Sequence, residues 1–282
     1  MCGIVGYVGG QDATQVVVEG LRRLEYRGYD SAGVAVVTPV GVQSRKRAGK
    51  LANLEKALAE APLPDTTVGI GHTRWATHGA PNDVNAHPHL SEDGSLAVIH
   101  NGIIENFAEL RSLLQADGVT FLSETDTEVA AHLLAKMVGE TGSLTEAMQA
   151  TCRQLRGAFT LVAASAEDPD TLVGARRNSP LVVGLGDGET FLASDVSAFI
   201  AHTRRAMELG QDQVITITRE GVEVTDFDGV PADGVEYEVT WDASAAEKAG
   251  YDLFMLKEIA EQPKAVADTL LGRITDDNRL VL

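Results

Sequence analysis

Between residues 158 and 225 the chain carries six short apolar, β-branched stretches, at 159–163, 171–175, 181–185, 190–193, 213–218 and 222–225. Short glycine-rich turns separate several of them. A connection that short joins only antiparallel neighbours, because a parallel crossover needs about a dozen residues or more. This region is therefore predicted to be a set of hairpins. Upstream, strand signals at 4–8, 33–37, 67–73 and 95–100 alternate with helical spacing at 13–26 (Val17, Leu21, Leu24), 51–61, 104–116 (Leu110, Leu113, Leu114), 127–138 and 143–155. The expected architecture is two antiparallel sheets with helices packed outside them. Gly184-Leu185-Gly186-Asp187-Gly188 has the look of a nucleotide loop, but a strand follows it where a helix would be required, so a hairpin turn is expected.

The composition turns acidic near residue 228, and 228–250 reads as a connector after a first domain spanning 2–227. Helical spacing resumes at 251–259 through Leu253, Leu256 and Ile259. Pro263 is expected to end that helix and open another at 264–271. The turn-like Asp276-Asp277-Asn278 comes just before the end of the sequence, so 251–282 reads as the start of a further region in a chain cut from a longer one.

The net charge of −18 argues against a nucleic-acid partner, whose phosphates call for clustered cations. The basic runs at Arg22-Arg23, Arg45-Lys46-Arg47, Arg176-Arg177 and Arg204-Arg205 are scattered, and an aromatic content of 5% provides no base-stacking surface. No apolar run approaches the ~18 residues that span a bilayer. The start of the chain lacks a secretory pattern. A soluble, cytoplasmic protein is expected, with Cys2 and Cys152 reduced.

The position that carries most chemistry is Cys2. Removal of Met1 would leave one residue bearing both a thiol and a free α-amine. A thiol of pKa about 8.5 is only ~3% thiolate at neutral pH, whereas an α-amine of pKa about 7.7–8.0 is ~10–17% unprotonated. The amine can then serve as base for its own side chain, the device used by N-terminal Thr nucleophiles. A carbonyl attacked there needs oxyanion donors. His100-Asn101-Gly102, at a strand end, offers an amide side chain and an unshielded backbone N–H. The same dipeptide also reads as a plain Asn-Gly turn.

In His72-Thr73-Arg74-Trp75-Ala76-Thr77-His78-Gly79, Arg74 can grip a carboxylate with help from Thr77 and His78, and Trp75 can cap a pocket. Asp126, in Ser123-Glu-Thr-Asp-Thr-Glu128, can accept from an ammonium, or can simply start a helix. A papain-like pairing of Cys2 with His72, His78, His87 or His100 is a second route to a thiolate. His87-Pro88-His89 lacks further residues at ligand spacing, so no metal is expected.

Taken in order, Met1-Cys-Gly-Ile-Val-Gly-Tyr7, the stretch 20–33, His72–Gly79, Val84-Asn-Ala-His-Pro-His89, His100-Asn-Gly-Ile-Ile-Glu-Asn106 and Ser123–Glu128 resemble the glutaminase half of the glutamine–fructose-6-phosphate aminotransferases, a family of class II glutamine amidotransferases. Lys257-Glu-Ile-Ala-Glu-Gln-Pro263 is similar to the entry into that family's sugar-isomerase half. The resemblance implies an N-terminal nucleophile hydrolase fold of class α+β, a four-layer αββα sandwich of two antiparallel sheets. It implies that Cys2 attacks the side-chain amide of L-glutamine, forming a thioester and releasing ammonia, with no cofactor. Asn101 and Gly102 match the family's oxyanion hole. Arg74, Thr77 and His78 match the surroundings of the substrate carboxylate, and Asp126 matches the residue that holds the ammonium. Trp75 falls in the family's mobile loop over glutamine, and Arg27 and His87 lie in matching motifs as supporting residues. Fructose 6-phosphate would be reached only through the isomerase half. A homodimer is expected for the full-length enzyme and a monomer for this length. The alternatives are the glutaminase of another class II amidotransferase, such as the purine-pathway phosphoribosyl transferase, and a glutamine-binding module without turnover.

Overall fold

A computed structural model of the chain describes residues 2–240, 251 and 254–270. It divides into two compact units, Met1–Thr240 and Trp241–Leu282. The first unit contains β1 (Gly3–Val8), α1 (Ala13–Arg23), β2 (Ser31–Thr38), β3 (Gly41–Ala48), α2 (Leu51–Glu60), β4 (Val68–Arg74), β5 (His89–Leu90), β6 (Leu96–Ile104), α3 (Phe107–Ala116), α4 (Asp126–Thr141), α5 (Leu144–Gln154), β7 (Gly157–Ser165), β8 (Asp168–Arg177), β9 (Val182–Leu185), β10 (Thr190–Ala193), β11 (Arg205–Glu208), β12 (Gln213–Ile217), β13 (Val222–Asp226) and β14 (Val235–Glu238).

Two sheets result, and every strand pairing in them is antiparallel. The eight-stranded sheet runs β14-β11-β9-β10-β1-β4-β2-β3, and the six-stranded sheet runs β13-β12-β8-β7-β6-β5. The glycine-rich segment after Leu185 is the expected hairpin turn, with Leu185 paired to Thr190.

Strand periodicity builds the layers. In β6, Ala97 and Ile99 join Ile4, Ile70 and Val162 in a core between the sheets. The alternate residues Leu96 and Val98 join Val129, Leu133 and Met148 in a second core beneath α4 and α5. On the other side α1 lies against β4 so closely that a Cβ on Gly71 would meet Val17 Cγ1 at 2.3 Å. Both faces of the central strands are thus covered, which is why β1, β2 and β4 are buried throughout.

Several boundaries differ from the sequence expectation. Helix α1 stops at Arg23, and Glu25–Arg27 forms a 3₁₀ turn. The strand expected to end at His100 continues through Asn101 and Gly102, which pair with Thr160 and Phe159 of β7, so Asn-Gly is not a turn here. Strand β14 occupies part of the segment read as a connector from 228, because its backbone closes the free edge of β11.

In the second unit α6 (Phe254–Leu270) carries Pro263 in its interior, where a break was expected. Proline removes one N–H from the ladder, and the flanking turns hold the helix across that gap. Trp241, the rest of the connector to 250 and Asp276-Asp277-Asn278 lie outside the described residues. No helix among the described residues is long and apolar enough to cross a membrane.

Candidate active site

A cavity of about 300 Å³ opens at one end of the space between the sheets. Cys2, Arg27, Arg74, Trp75, Thr77, His87, Asn101, Gly102 and Asp126 all line it. Of the residues expected to act on or bind the substrate, His78 does not, and neither does His72 of the papain-like pairing; His78 instead holds Arg74. Its carbonyl accepts from Arg74 Nη2, and its ring packs edge-on against Phe107 at 4.9 Å.

Cys2 precedes β1 and extends the face that carries Ile4 into the inter-sheet core. Its Sγ accepts a hydrogen bond from the Trp75 N–H at 3.1 Å. Burial pushes the thiol above its ordinary pKa, against the pull of the Trp75 amide, and so disfavours the thiolate. Among the described residues no histidine nitrogen hydrogen-bonds to Sγ; His72, His87 and His100 are buried and held below their ordinary values chiefly by desolvation. That geometry weakens the papain-like pairing.

The Cys2 carbonyl is fixed from two sides. Arg27 Nη1 donates to it at 3.4 Å and Asn101 Nδ2 at 3.3 Å. Arg27 is itself anchored by Asp195, at 2.9 Å, and by the Ser194 carbonyl, at 3.1 Å. The Asn101 amide has one further hydrogen for a ligand. At Gly102, φ is 121° and a Cβ would lie 2.0 Å from the Ala158 carbonyl oxygen, so only glycine fits beside Asn101.

Asp126 is the first residue of α4, but the capping falls to Thr125, whose Oγ1 accepts from the Glu128 N–H. Asp126 is left for the cavity: Oδ2 accepts from the Ile104 N–H at 3.0 Å and lies 3.8 Å from His100 Nδ1. Glu128 ties down the preceding loop through the amides of Leu122 and Ser123, both at 2.7 Å. Those bonds, with His132 and Ser123 Oγ, outweigh its burial and lower its pKa to about 2. The loop that carries His87 is held by Lys46, whose Nζ donates to the carbonyls of Val84, Ala86 and Pro88 at 3.0, 2.8 and 3.3 Å. Burial brings that ammonium down to about 8.

Three cavity-lining side chains carry a buried nitrogen without a hydrogen-bond partner: Arg74 Nη1, His87 Nδ1 and His100 Nε2. Buried polar atoms normally find partners, so these are valences that a polar ligand in this cavity could meet. His100, Ile103, Thr127, Ser179 and Pro180 also line the cavity, beyond the residues picked out as its binding set. The Asn178-Ser179-Pro180 turn was the available signal for the last two, and Asn178 does adopt a positive φ of 60°. No group of three His, Cys, Asp or Glu among the described residues is arranged to hold a metal ion.

Residues 59–232 match the family model of the glutamine amidotransferase domain. The chain belongs to the glutamine amidotransferases. This amidotransferase is 67% identical over 282 residues to the glutamine–fructose-6-phosphate aminotransferase (isomerizing) of Streptomyces coelicolor, matching 100% of this chain and 46% of that one. It is 60% identical over 290 residues to the enzyme of the same name from Corynebacterium glutamicum, again across 100% of this chain and 46% of the relative. The chain thus spans about half the length of the curated relatives it matches. Among solved structures, the glutamine phosphoribosylpyrophosphate amidotransferase of B. subtilis superposes with a TM-score of 0.68 at 26% identity, over 80% of this chain and 49% of that one. These amidotransferase neighbours share the two-sheet architecture, in line with the α+β sandwich of the N-terminal nucleophile hydrolase class expected from the sequence.

Proposed function

We propose that this chain is the glutaminase part of a glutamine–fructose-6-phosphate aminotransferase and hydrolyses L-glutamine through Cys2. The observation that carries this reading is the placement of Cys2 Sγ, the Asn101 amide, Arg74 and Asp126 around one small cavity. Arg74 and Asp126 supply opposite charges for the two ends of an α-amino acid. Arg74 remains a cation, since a guanidinium does not deprotonate in proteins.

Removal of Met1 frees the Cys2 amine, which takes the thiol proton. The thiolate attacks the side-chain amide carbon, and the C=O electrons move onto oxygen, where Asn101 Nδ2–H and the Gly102 N–H stabilise them. Collapse breaks the C–N bond; the ammonium of Cys2 returns its proton to the leaving nitrogen, and ammonia departs. Water, deprotonated by the same amine, attacks the thioester. The C–S bond breaks, glutamate leaves and the thiol is reprotonated. Trp75, 56% exposed, covers the mouth, and Thr77 and His87 complete the wall. His78 supports the site by holding Arg74.

In the complete protein the ammonia would pass to fructose 6-phosphate in the isomerase half, in the cytoplasm and within a homodimer. Residues 2–227 would form the glutaminase, extended by β14, and the region from 251 would begin the isomerase part. The experiment is glutamate release from glutamine by the purified chain, with intact mass showing whether Met1 is present. Turnover that disappears in Cys2→Ala, with glutamine binding retained, supports the mechanism. Full activity with Met1 still attached would remove the amine as base. Binding without turnover in a chain lacking Met1 would favour the glutamine-binding module.

A further inference from the structure

We infer that His72 is a positioning residue whose ring orients the Asn101 amide for oxyanion binding. This rests on the glutaminase reading of the cavity and extends it to a residue that touches no substrate. His72 lies in β4, on the face that carries Ile70 into the inter-sheet core. Asn101 lies in β6, on the face of Ala97 and Ile99. At the cavity end of that core the two side chains meet across the gap, with His72 Nε2 2.8 Å from Asn101 Oδ1.

The donor in that pair follows from chemistry. An amide oxygen only accepts, so Nε2 must carry the hydrogen. Burial holds the imidazole near a pKa of about 3, so the ring is neutral and has a single N–H. The ring also lies against the His100 backbone, and with the Asn101 oxygen at Nε2 the hydrogen is held on that nitrogen. In return, the bond fixes which end of the amide is which. With Oδ1 turned to His72, the NH2 group faces the Cys2 carbonyl, 3.3 Å away, and keeps a second hydrogen for the developing oxyanion. Without the His72 donor the amide can turn over and present its oxygen to the negative charge. One lost hydrogen bond between the sheets thus becomes a lost transition-state interaction.

The test compares His72→Leu, which fills the space without a donor, with His72→Gln, whose amide N–H reaches about as far as Nε2. Each is made alone and with Asn101→Ala, and kcat and KM for glutamate release are measured. His72→Leu should lower kcat by about 10²-fold, the scale of one oxyanion donor, with KM nearly unchanged. His72→Gln should recover most of that loss. In the Asn101→Ala background His72→Leu should change kcat by no more than about twofold, because the two residues act as one unit. If His72→Leu does not fold, His72→Asn replaces it, since its amide is too short to reach Oδ1; it should lose activity where His72→Gln keeps it. An equal fall in kcat with and without Asn101, or a rise in KM alone, would overturn the assignment. An inactive parent chain freed of Met1 would instead overturn the glutaminase reading, so the two failures are distinguishable.

Discussion

Acid should unfold this domain through its buried histidines. His72, His87 and His89 lie in a row, with ring centroids 4.3 Å apart for the tilted first pair and 5.1 Å for the edge-on second. Desolvation drives all three well below the ordinary histidine value, His72 to about 3. Arg74 presses on all three, and Lys46 on His89; Glu128 and a hydrogen bond with the Asn85 backbone pull His89 the other way. The unfolded chain therefore binds more protons than the folded one. Stability is fully present above an unfolded pKa of about 6.5 and is lost as pH falls. For His72, going from about pH 7.5 to 5.5 costs about 1.4 kcal/mol. His87 and His89 are shifted in the same direction and add to that loss, against total stabilities of roughly 5–15 kcal/mol. Carboxylates with lowered values, such as Glu128, act only below that window. The assay is urea unfolding followed by far-UV circular dichroism at several pH values across the window. The variant is His89→Gln, which should make the dependence shallower. A stability that is level across the window, or a slope unaltered in His89→Gln, would refute the reasoning.

Asn101→Ala should lower kcat for glutamate release by about 10²–10³-fold with little change in KM; a change confined to KM would move Asn101 into substrate holding. Arg74→Lys gives up the planar fork and should raise KM by about 10–100-fold, the scale of a charged hydrogen bond, and an unchanged KM would place the carboxylate elsewhere. Gly102→Ala should destabilise the domain by about 2–4 kcal/mol through left-handed strain and overlap with the Ala158 carbonyl. As a control, Gly139→Ala in α4, where a Cβ meets nothing within 4 Å, should stabilise by about 0.5–1 kcal/mol. Thermal melts of the two variants moving in the same direction would contradict the glycine argument.

The strands that fill the sheet centres were legible in the sequence because both their faces are covered and they read as apolar runs. The missed strands are those at or near the edges. β3 carries Ser44-Arg45-Lys46-Arg47, which looks like a solvated basic run; in the fold Lys46 turns inward to bind three carbonyls. β14 is exposed along its whole length, and β5 has two residues. None of these has the apolar signal that marks burial. The site divides in the same way. Cys2, Arg74, Asn101 and Asp126 stand in motifs whose chemistry is visible one residue at a time. The role of His72 appears only when two strands from different sheets are brought face to face, which no local pattern encodes. His78 shows the converse: four residues from Arg74 it reads as a ligand contact, whereas in the fold it lies off the cavity and its backbone carbonyl accepts from Arg74.

The Cys2 carbonyl is gripped by Arg27, from the turn behind the eight-stranded sheet, and by Asn101, from the six-stranded sheet. Cys2 is therefore suspended between two slabs whose separation is set by the side chains packed between them, among them Ile4, Ile70, Ile99 and Val162. A close-packed interior passes small volume changes on to its boundaries. A methylene added or removed deep in that layer should then register as a change in turnover before it registers as a loss of fold. The width of the hydrophobic layer is in this sense a catalytic dimension. Engineering this core for thermal tolerance alone would detune the distance across which the reaction is run.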